Sequence, residues 1–380
     1  VILVGGAFAV YLVARYVTGR NDLLALCTMG VLTGALGMLV LLSAMTSAVH
    51  TPTWGRIRTG EAILRAEPGA LVVAGTALGL GLLVTVYSGR YLSLDRRYET
   101  YYPLLLLLVT GLVGMVLAAD LFNLYMFCEL MSVAAYVLVG FRRRTRTAIE
   151  AGFKYLVMGS VGTIIALLGI SFIYRERGHL AIVPTTDALG PWGLTGMACI
   201  ITGLGVKSAI VPLHTWLPDA HGRAPGSISA MLSGIIVQSV FFTLLKVSLG
   251  LGFPAHTLGT LLIVLSIPNM TLGNGMALVQ TNTKRLLGYS TIAQVGYLML
   301  TMGIGLRYGI ASAIQIGFFL IPVQALTKGL AFLCKGVCHF YFDATTTEQL
   351  RGTAARLPLV AVAFTVALAG LAGIPPLAGF

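Results

Sequence analysis

The chain has 380 residues, of which 57% are hydrophobic and only 10% are charged. A soluble globular domain carries about 25% charged residues, so this composition excludes an ordinary water-soluble protein. The formal net charge of +12 must be interpreted against a membrane rather than against a nucleic acid. Apolar runs close to the roughly 20 residues of a spanning helix recur along the whole length. The sequence therefore predicts an all-α polytopic membrane protein.

The apolar runs divide the chain into about 12 predicted spans. In chain order they cover residues 1–16, 23–48, 70–91, 101–119, 121–141, 153–174, 193–215, 226–250, 258–280, 288–306, 309–340 and 357–380. The first run leads directly into further spans, which argues against a cleaved targeting segment.

Basic residues are concentrated in the loops that follow odd-numbered spans, including the run RRRTR at 142–146. Loops rich in Lys and Arg stay on the cytoplasmic side of a membrane. The pattern therefore predicts cytoplasmic odd-numbered loops and an external N-terminus. Binding of acidic lipids by the basic run is an alternative interpretation.

Apart from residues at the ends of spans, five charged residues lie inside predicted spans: Glu129, Lys207, Lys246, Lys328 and Lys335. A charge at the centre of a membrane helix costs about 2.5–3.5 kcal/mol on insertion scales. Lys and Glu exchange protons when burial and neighbouring charges tune them, whereas Arg does not. This selection of residues favours proton transfer. The alternatives are ion pairs that only hold helices together and, for the lysines near span ends, side chains that reach to the membrane surface.

Prolines interrupt two of the predicted spans. Pro212 follows Lys207 by five residues, and Pro375 and Pro376 lie in the last apolar run. Paired broken helices are typical of transporters built from inverted repeats with ion sites near the midplane. We therefore expect N-terminal spans 1–3 in residues 1–100, a first repeat of spans 4–8 in 101–250, and a second repeat of spans 9–13 in 251–380.

Several motifs carry a resemblance to a known family. They are LFNLYMFCELMSVAAYVL, EAGFKYLVMGS, GLGVKSAIVPLHTWLPDAHGRAPGSISAMLSG, NTKRLLGYSTIAQVGYLML and GIPPLAGF. In this order they resemble the antiporter-like membrane subunits of respiratory complex I. The same family supplies large subunits of multisubunit cation/proton antiporters and of energy-converting membrane hydrogenases.

The resemblance implies a proton channel of about 14 spans, in which a span-5 Glu is paired with a span-7 Lys. Glu129 and Lys207 match this pair. Lys328 matches the lysine of the family's broken span 11, and a further charged residue is expected in span 12. The chain ends at Phe380 before that position, so we expect it to be a fragment, truncated at the broken span 12.

Two positions depart from the family pattern. Gln238 stands where span 8 often carries a Lys, and Gln324 stands where a His often precedes the span-11 Lys. Glutamine forms hydrogen bonds but does not carry a proton at neutral pH. Lys246 lies eight residues beyond Gln238, about 12 Å along a helix, and is the later base of span 8.

The remaining candidates are weaker. His214, Asp219 and His221 flank the Pro212 break and are expected to form a proton entry, a coupling contact or simply a solvated loop. The five cysteines are scattered and predict no metal or haem site. We expect no cofactor in this chain; flavin, iron–sulfur, quinone or Ni–Fe groups would belong to partner subunits.

The sequence thus predicts a proton-translocating subunit of a larger membrane complex in a bacterial or archaeal cytoplasmic membrane. Its relay would consist of Glu129, Lys207, Lys246 and Lys328, supported by Gln238, Gln324, His214, Pro212 and Pro375. Such a complex is a quinone oxidoreductase-type translocase whose redox chemistry lies in other subunits, including further antiporter-like ones. The alternatives are a sodium/proton antiporter or hydrogenase subunit, with Glu129 or Asp120 as cation ligand, and a scaffold that does not pump.

Overall fold

The computed structural model describes residues 2–16, 21–48, 53–56, 62–92, 98–141, 146–183 and 188–380, and these are almost entirely helical. The first helices are α1 (Ile2–Tyr16), α2 (Asn21–Ala48), α3 (Pro68–Tyr91), α4 (Tyr98–Leu117), α5 (Leu121–Val139), α6 (Arg146–Arg177), α7 (Pro191–Lys207) and α8 (Trp216–Arg223). They are followed by α9 (Gly226–Met231), a π-helical turn (Leu232–Ile236), α10 (Val237–Gly250), α11 (Ala255–Leu278), α12 (Thr283–Tyr308) and α13 (Ala311–Phe342). A 3₁₀ turn (Glu348–Leu350), α14 (Thr353–Arg356) and α15 (Pro358–Leu371) complete the order.

Between α2 and α3 the chain forms a short antiparallel hairpin, which the sequence did not predict. Its strands are β1 (Thr53–Arg56) and β2 (Ala62–Arg65), with Thr53 opposite Arg65. Residues 142–145 of the basic run used for the topology prediction lie outside the described residues.

Each predicted span contains a helix at nearly the predicted position. Within the described residues, eight helices are long and apolar enough to cross a membrane: Asn21–Leu41, Pro68–Tyr91, Tyr98–Leu117, Leu121–Val139, Arg146–Arg177, Gly226–Gly250, Ala255–Leu278 and Ala311–Phe342. This confirms an all-helical polytopic membrane protein. The finer count of spans and the inverted repeats stay predictions.

Two expectations about helix continuity have different outcomes. The interruption predicted near Pro212 in the span over 193–215 is present, because α7 ends at Lys207 and the chain continues in turns to α8. The helix that carries Lys328 was expected to match a broken span, but α13 continues through this residue without interruption. Pro322 lies inside α13; its missing N–H removes one hydrogen bond of the helix without ending it.

The centre of the bundle is the segment from α9 to α10. Every residue from 224 to 245 is buried, which includes the π-helical turn. Because the surrounding helices cover this segment on all sides, its polar side chains are placed away from lipid.

Contacts at the two ends of the bundle agree with helices that alternate in direction. At one end, Arg285 at the start of α12 lies 3.0 Å from Asp219 in α8. At the opposite end, the Arg177 guanidinium at the end of α6 donates to the Leu251 carbonyl after α10, at 2.8 Å. Each contact joins loops that the predicted topology places on the same side.

Close packing of α6 against α7 positions the end of α7. A Cβ added to Gly162 would lie 2.9 Å from the carbonyl oxygen of Gly203. Small residues let membrane helices approach until their backbones touch. The glycine pair therefore brings the end of α7, with Lys207, directly against its neighbours.

Candidate functional site

The Glu129 and Lys207 side chains meet between α5 and α7. Glu129 Oε1 lies 3.6 Å from Lys207 Nζ, and the side chains are 28% and 4% exposed, respectively. This distance is that of an ion pair but is too long for a direct hydrogen bond. Within the described part of the chain, Glu129 Oε1 has no hydrogen-bond partner. The predicted pair is therefore present, with its two charges close but not locked together.

Hydroxyl groups on α5 supply the hydrogen bonds of Lys207. Its ammonium group donates to Ser132 Oγ and, at 3.4 Å, to the Tyr136 hydroxyl. Ser132 in turn donates to the Cys128 carbonyl at 2.6 Å. Residues 129, 132 and 136 recur at helical spacing, so one face of α5 presents a carboxylate and two hydroxyls to the same lysine.

The chain breaks directly after Lys207. Ala209 adopts a left-handed conformation, with φ of 52°, and Pro212 lacks the N–H that a continuing helix would use. The Val211 N–H donates to Asn269 Oδ1 on α11 at 2.8 Å. The interruption is thus held by a buried side chain of another helix rather than left unsatisfied.

The two glutamines that depart from the family pattern contact each other. Gln238 Nε2 on α10 lies 2.7 Å from Gln324 Oε1 on α13. Gln324 also donates to Gln294 on α12, at 3.2 Å between Nε2 and Oε1. Gln294 donates to the Leu371 carbonyl at the end of α15, at 3.0 Å. Three amides therefore connect the central helix to the last helix before the Pro375 break.

Lys328 is completely buried beside this amide chain, one helical turn after Gln324. Its ammonium group donates to Ser290 Oγ and to the Leu287 carbonyl at 3.4 Å. Ser290 also donates to the Leu287 carbonyl, at 2.8 Å. Lys328 thus resembles Lys207 in resting on a serine hydroxyl of a facing helix.

The other two lysines have a different environment. Lys246 donates to the carbonyl of Val116 in the last turn of α4, at 2.9 Å, and to the carbonyl of Ala118 just beyond this helix, at 2.8 Å. Lys335 donates to the Ala344 carbonyl after α13 at 2.7 Å. Both satisfy carbonyl oxygens at helix ends, where lysine is a common partner. A role for Lys246 in proton transfer stays a prediction.

The two predicted histidines of the break differ in burial. His214 is partly buried between Pro212 and α8. His221 is fully buried, and among the described residues neither of its ring nitrogens has a hydrogen-bond partner. Its ring stacks on Phe332, with centroids 4.7 Å apart, and Phe332 lies one turn beyond Lys328 on α13. His221 is therefore placed between the break and Lys328.

Asp120 has a structural position at the other end of α5. Its carboxylate accepts from the Asn123 N–H at 2.8 Å and from the Asn123 side-chain amide at 2.6 Å. It is thus the N-terminal cap of α5, about 13 Å along the helix from Glu129. The two carboxylates do not converge on one site.

The sequence interpretation missed the residues that hold Lys207. Ser132, Tyr136 and Asn269 are uncharged and lie in apolar runs, where helical packing is the default interpretation. The spacing of Ser132 and Tyr136 from Glu129 was the available signal. The partner of Val211 on α11 carried no such signal, because it depends on tertiary contacts.

The sequence of this chain is similar to a known protein family and to several curated proteins. A family model described as NADH:quinone oxidoreductase/Mrp antiporter, TM, matches residues 118–380. Subunit N of the NADH-quinone oxidoreductase of Deinococcus radiodurans is 35% identical over 333 residues, covering 83% of this chain and 65% of that protein. Subunit N of the F(420)H(2) dehydrogenase of Methanosarcina mazei is 30% identical over 318 residues, covering 80% and 64%. The chain spans about two thirds of the length of these curated relatives.

Solved structures share the fold. A chain of the membrane-bound sulfane sulfur reductase, an archaeal respiratory membrane complex, superposes with a TM-score of 0.87 at 25% identity, covering 98% of this chain and 77% of that one. A chain of respiratory complex I from Thermus thermophilus gives 0.79 at 27% identity, covering 100% and 79%. A chain of the Mrp complex from Dietzia sp. gives 0.87 at 23% identity, covering 98% and 71%; this last likeness concerns the fold alone.

Proposed function

Because the chain belongs to the NADH:quinone oxidoreductase/Mrp antiporter transmembrane family, we propose that it is a proton-translocating, antiporter-like subunit of a multisubunit membrane complex. The observation that carries the proposal is the Glu129–Lys207 pair at a helix break, with 3.6 Å between its charged atoms and with Lys207 buried. An ion pair that is close but not hydrogen-bonded can open without breaking a strong bond. This suits a switch better than a structural clamp.

The first half of the relay uses the groups around Lys207. When Lys207 is protonated, Glu129 attracts it, and the Ser132 and Tyr136 hydroxyls accept hydrogen bonds from its N–H groups. A hydroxyl also donates, so one of the two groups can donate to the single lone pair of the neutral amine after the proton has left. Separation of Lys207 from Glu129 then favours release of the proton toward the centre of the bundle.

The second half of the relay leads from the break to Lys328. His221 is the intermediate group in this proposal, because its unpartnered ring lies between α8 and the face of α13 next to Lys328. From Lys328 the path follows the Gln324 and Gln294 amides toward the end of α15. Amides orient water but do not hold the proton, so this part of the path depends on water or on a further charged group. Lys246 is assigned a helix-end role here.

The predicted organisation fits this path. In the proposal, residues 101–250 form a first repeat with its break after Lys207, and residues 251–380 form part of a second repeat with its break after α15. The N-terminal spans lie in residues 1–100. The N-terminus is external, and the partners are other membrane subunits, including further antiporter-like ones, of an NADH-quinone oxidoreductase-type complex. Cofactors belong to those partners.

A non-pumping scaffold is the second candidate. The observation that favours it is the amide chain from Gln238 through Gln324 to Gln294, which replaces ionisable groups by a closed hydrogen-bond network. If the relay ends there, the Glu129–Lys207 pair would only hold α5 against α7.

Proton uptake by vesicles that contain the assembled complex separates the two candidates. Glu129→Gln and Lys207→Met should each reduce uptake about ten-fold or more, since a proton-transferring group contributes at least this factor. The matched controls are Glu348→Gln, an exposed carboxylate, and Lys154→Met, a half-exposed lysine. Normal uptake in both test variants would refute the relay and favour the scaffold.

A further inference from the structure

The break after Lys207 deprives the Val206 carbonyl of its usual helical partner, and a distant side chain adds a second hydrogen bond to it. In a continuous helix, the Val206 carbonyl would accept from the N–H of Ile210. That N–H donates instead to the Gly205 carbonyl at 3.0 Å, and the Val206 carbonyl accepts from the Ala209 N–H at 3.2 Å. The indole Nε1–H of Trp216, at the start of α8, donates to the Val206 carbonyl at 2.8 Å. Trp216 thus fixes the peptide next to Lys207.

Trp216 is also the base of an aromatic stack that leads back to the same lysine. Its ring lies parallel to that of Tyr155 on α6, with centroids 4.2 Å apart and planes inclined by 6°. The Tyr155 ring meets Tyr136 edge-on at 4.6 Å and 87°. Trp216, Tyr155 and Tyr136 are 2%, 3% and 6% exposed, respectively, so the stack has little room to rearrange.

The stack ends at the ammonium group of Lys207. The Tyr136 hydroxyl lies 3.4 Å from Lys207 Nζ, and the centroid of its ring lies 5.8 Å away. A glycine makes this position possible, because a Cβ at Gly159 would lie 2.8 Å from Tyr136 Cζ. The contacts therefore form a closed circuit that starts at Val206, passes through Trp216 and two tyrosines, and returns to Lys207.

We propose that Trp216 is a positioning residue for Lys207, and this inference rests on the proposed proton relay. It holds the backbone before the lysine through one hydrogen bond, and it holds the phenol beside the ammonium group through the stack. A displacement of α8 would therefore move both supports of Lys207 together relative to Glu129 on α5. Helix α8, which follows the break, therefore influences the Glu129–Lys207 pair without contacting the transferred proton.

Proton uptake by vesicles containing the assembled complex, measured as a function of pH, tests this role. Trp216→Phe keeps an aromatic ring against Tyr155, removes the indole N–H and replaces the indole by a smaller phenyl ring. It should reduce uptake by about two- to ten-fold, the factor that one net hydrogen bond is worth in an equilibrium, and it should change the pH profile. Trp192→Phe is the matched control, because Trp192 is 44% exposed near the opposite end of α7.

The pH profile is informative because a purely structural residue would change the amount of complex and not the pH dependence per complex. The titratable groups that interact with Lys207 are Glu129, Cys128, Tyr136 and Tyr125, all on α5. A double variant of Trp216→Phe with Glu129→Gln should transport no worse than Glu129→Gln alone, since both act through the same lysine.

A normal rate and a normal pH profile in Trp216→Phe would overturn the inference. If this variant does not assemble, Tyr155→Leu decides in its place; it removes the ring that joins Trp216 to Tyr136 and leaves the hydroxyl partners of Lys207 unchanged, and the same reduction and change of profile are expected. Unchanged transport in Tyr155→Leu would then overturn the inference. Impaired Glu129→Gln with normal Trp216→Phe refutes the positioning role alone, whereas normal Glu129→Gln and Lys207→Met refute the relay itself.

Discussion

The side-chain amides of Gln238 on α10 and Gln324 on α13 are joined by a hydrogen bond at the centre of the bundle, with 2.7 Å between their polar atoms. Both residues stand where the family resemblance leads one to expect proton-carrying side chains. They are 1% and 2% exposed, so neither amide exchanges hydrogen bonds with bulk water. The pair is the point at which this chain differs most from a relay of lysines and histidines.

The first prediction concerns this pair. Gln238→Lys places an ammonium group within reach of the Gln324 carbonyl oxygen, which accepts its hydrogen bond, and so restores a proton carrier. We expect assembly to be preserved and proton uptake to increase or to change its pH dependence. The control is Gln280→Lys, near the end of α11 and away from the centre. If uptake in the Gln238 variant equals that of the wild type, Gln238 is not the interruption of the path.

The second prediction concerns Lys246. Lys246→Met removes the donor for the Val116 and Ala118 carbonyls and leaves them without this partner. We expect a loss of about 1–3 kcal/mol in the free energy of unfolding, the cost of an unsatisfied buried polar group, with normal uptake per assembled complex. Thermal unfolding of the purified complex and vesicle uptake measure the two quantities. Lost uptake at normal stability would return Lys246 to the relay.

The fold was largely predictable from the sequence because apolar runs of helix length carry a strong signal. Each predicted run contains a helix, and Glu129 and Lys207 were expected to meet because the resembling family pairs a span-5 Glu with a span-7 Lys. The sequence was most informative for charged residues in membrane helices, where contact with lipid costs the most free energy. It was less informative at helix ends, where Lys246 and Lys335 satisfy carbonyl groups.

What the sequence could not predict depends on contacts between distant segments. Lys207 binds hydroxyl groups of α5. Placing an uncharged hydroxyl in a membrane helix costs little free energy, so these residues do not stand out from the apolar sequence around them. The continuity of α13 through Lys328 was also hidden, since proline at 322 weakens a helix but does not determine whether packing keeps it intact. Both features require the tertiary arrangement.

The third prediction tests the hydroxyl that accepts from Lys207. Ser132→Ala removes this acceptor from a buried ammonium group, and hydrogen bonds to charged groups are worth about 1.5–3 kcal/mol. We expect reduced proton uptake at normal assembly, and recovery in Ser132→Thr, which restores a hydroxyl. Ser171→Ala is the control, because Ser171 is exposed and donates only to the Leu168 carbonyl of its own helix among the contacts described. Equal uptake in the Ser132 and Ser171 alanine variants would exclude this role.

The fourth prediction concerns orientation. Helix α6 has 32 residues from Arg146 to Arg177, about 48 Å at 1.5 Å per residue, which exceeds the roughly 30 Å of the hydrocarbon core. A reporter fused after Arg146 should be cytoplasmic and one fused after Arg177 external. The reverse result would invert the side from which Glu129 is reached, and reporters on one common side would show that α6 does not cross.

The fifth prediction concerns Asn269, which joins the break after Lys207 to the helices that follow it. Its side chain accepts from the Val211 N–H at 2.8 Å and donates to the Ile292 carbonyl on α12 at 3.3 Å. It is completely buried. Asn269→Ala therefore leaves a backbone N–H and a carbonyl without this partner, and the loss of unfolding free energy should be about 1–3 kcal/mol.

Asn274→Ala is the matched control, one and a half turns along the same helix, with an exposed side chain. Thermal unfolding of the complex in detergent should be lowered by the Asn269 change and unaffected by the Asn274 change. Because the Val211 N–H fixes the chain four residues beyond Lys207, proton uptake should fall in the Asn269 variant even when measured per assembled complex. Lower stability with unchanged uptake would mean that Asn269 supports the break without controlling the position of Lys207.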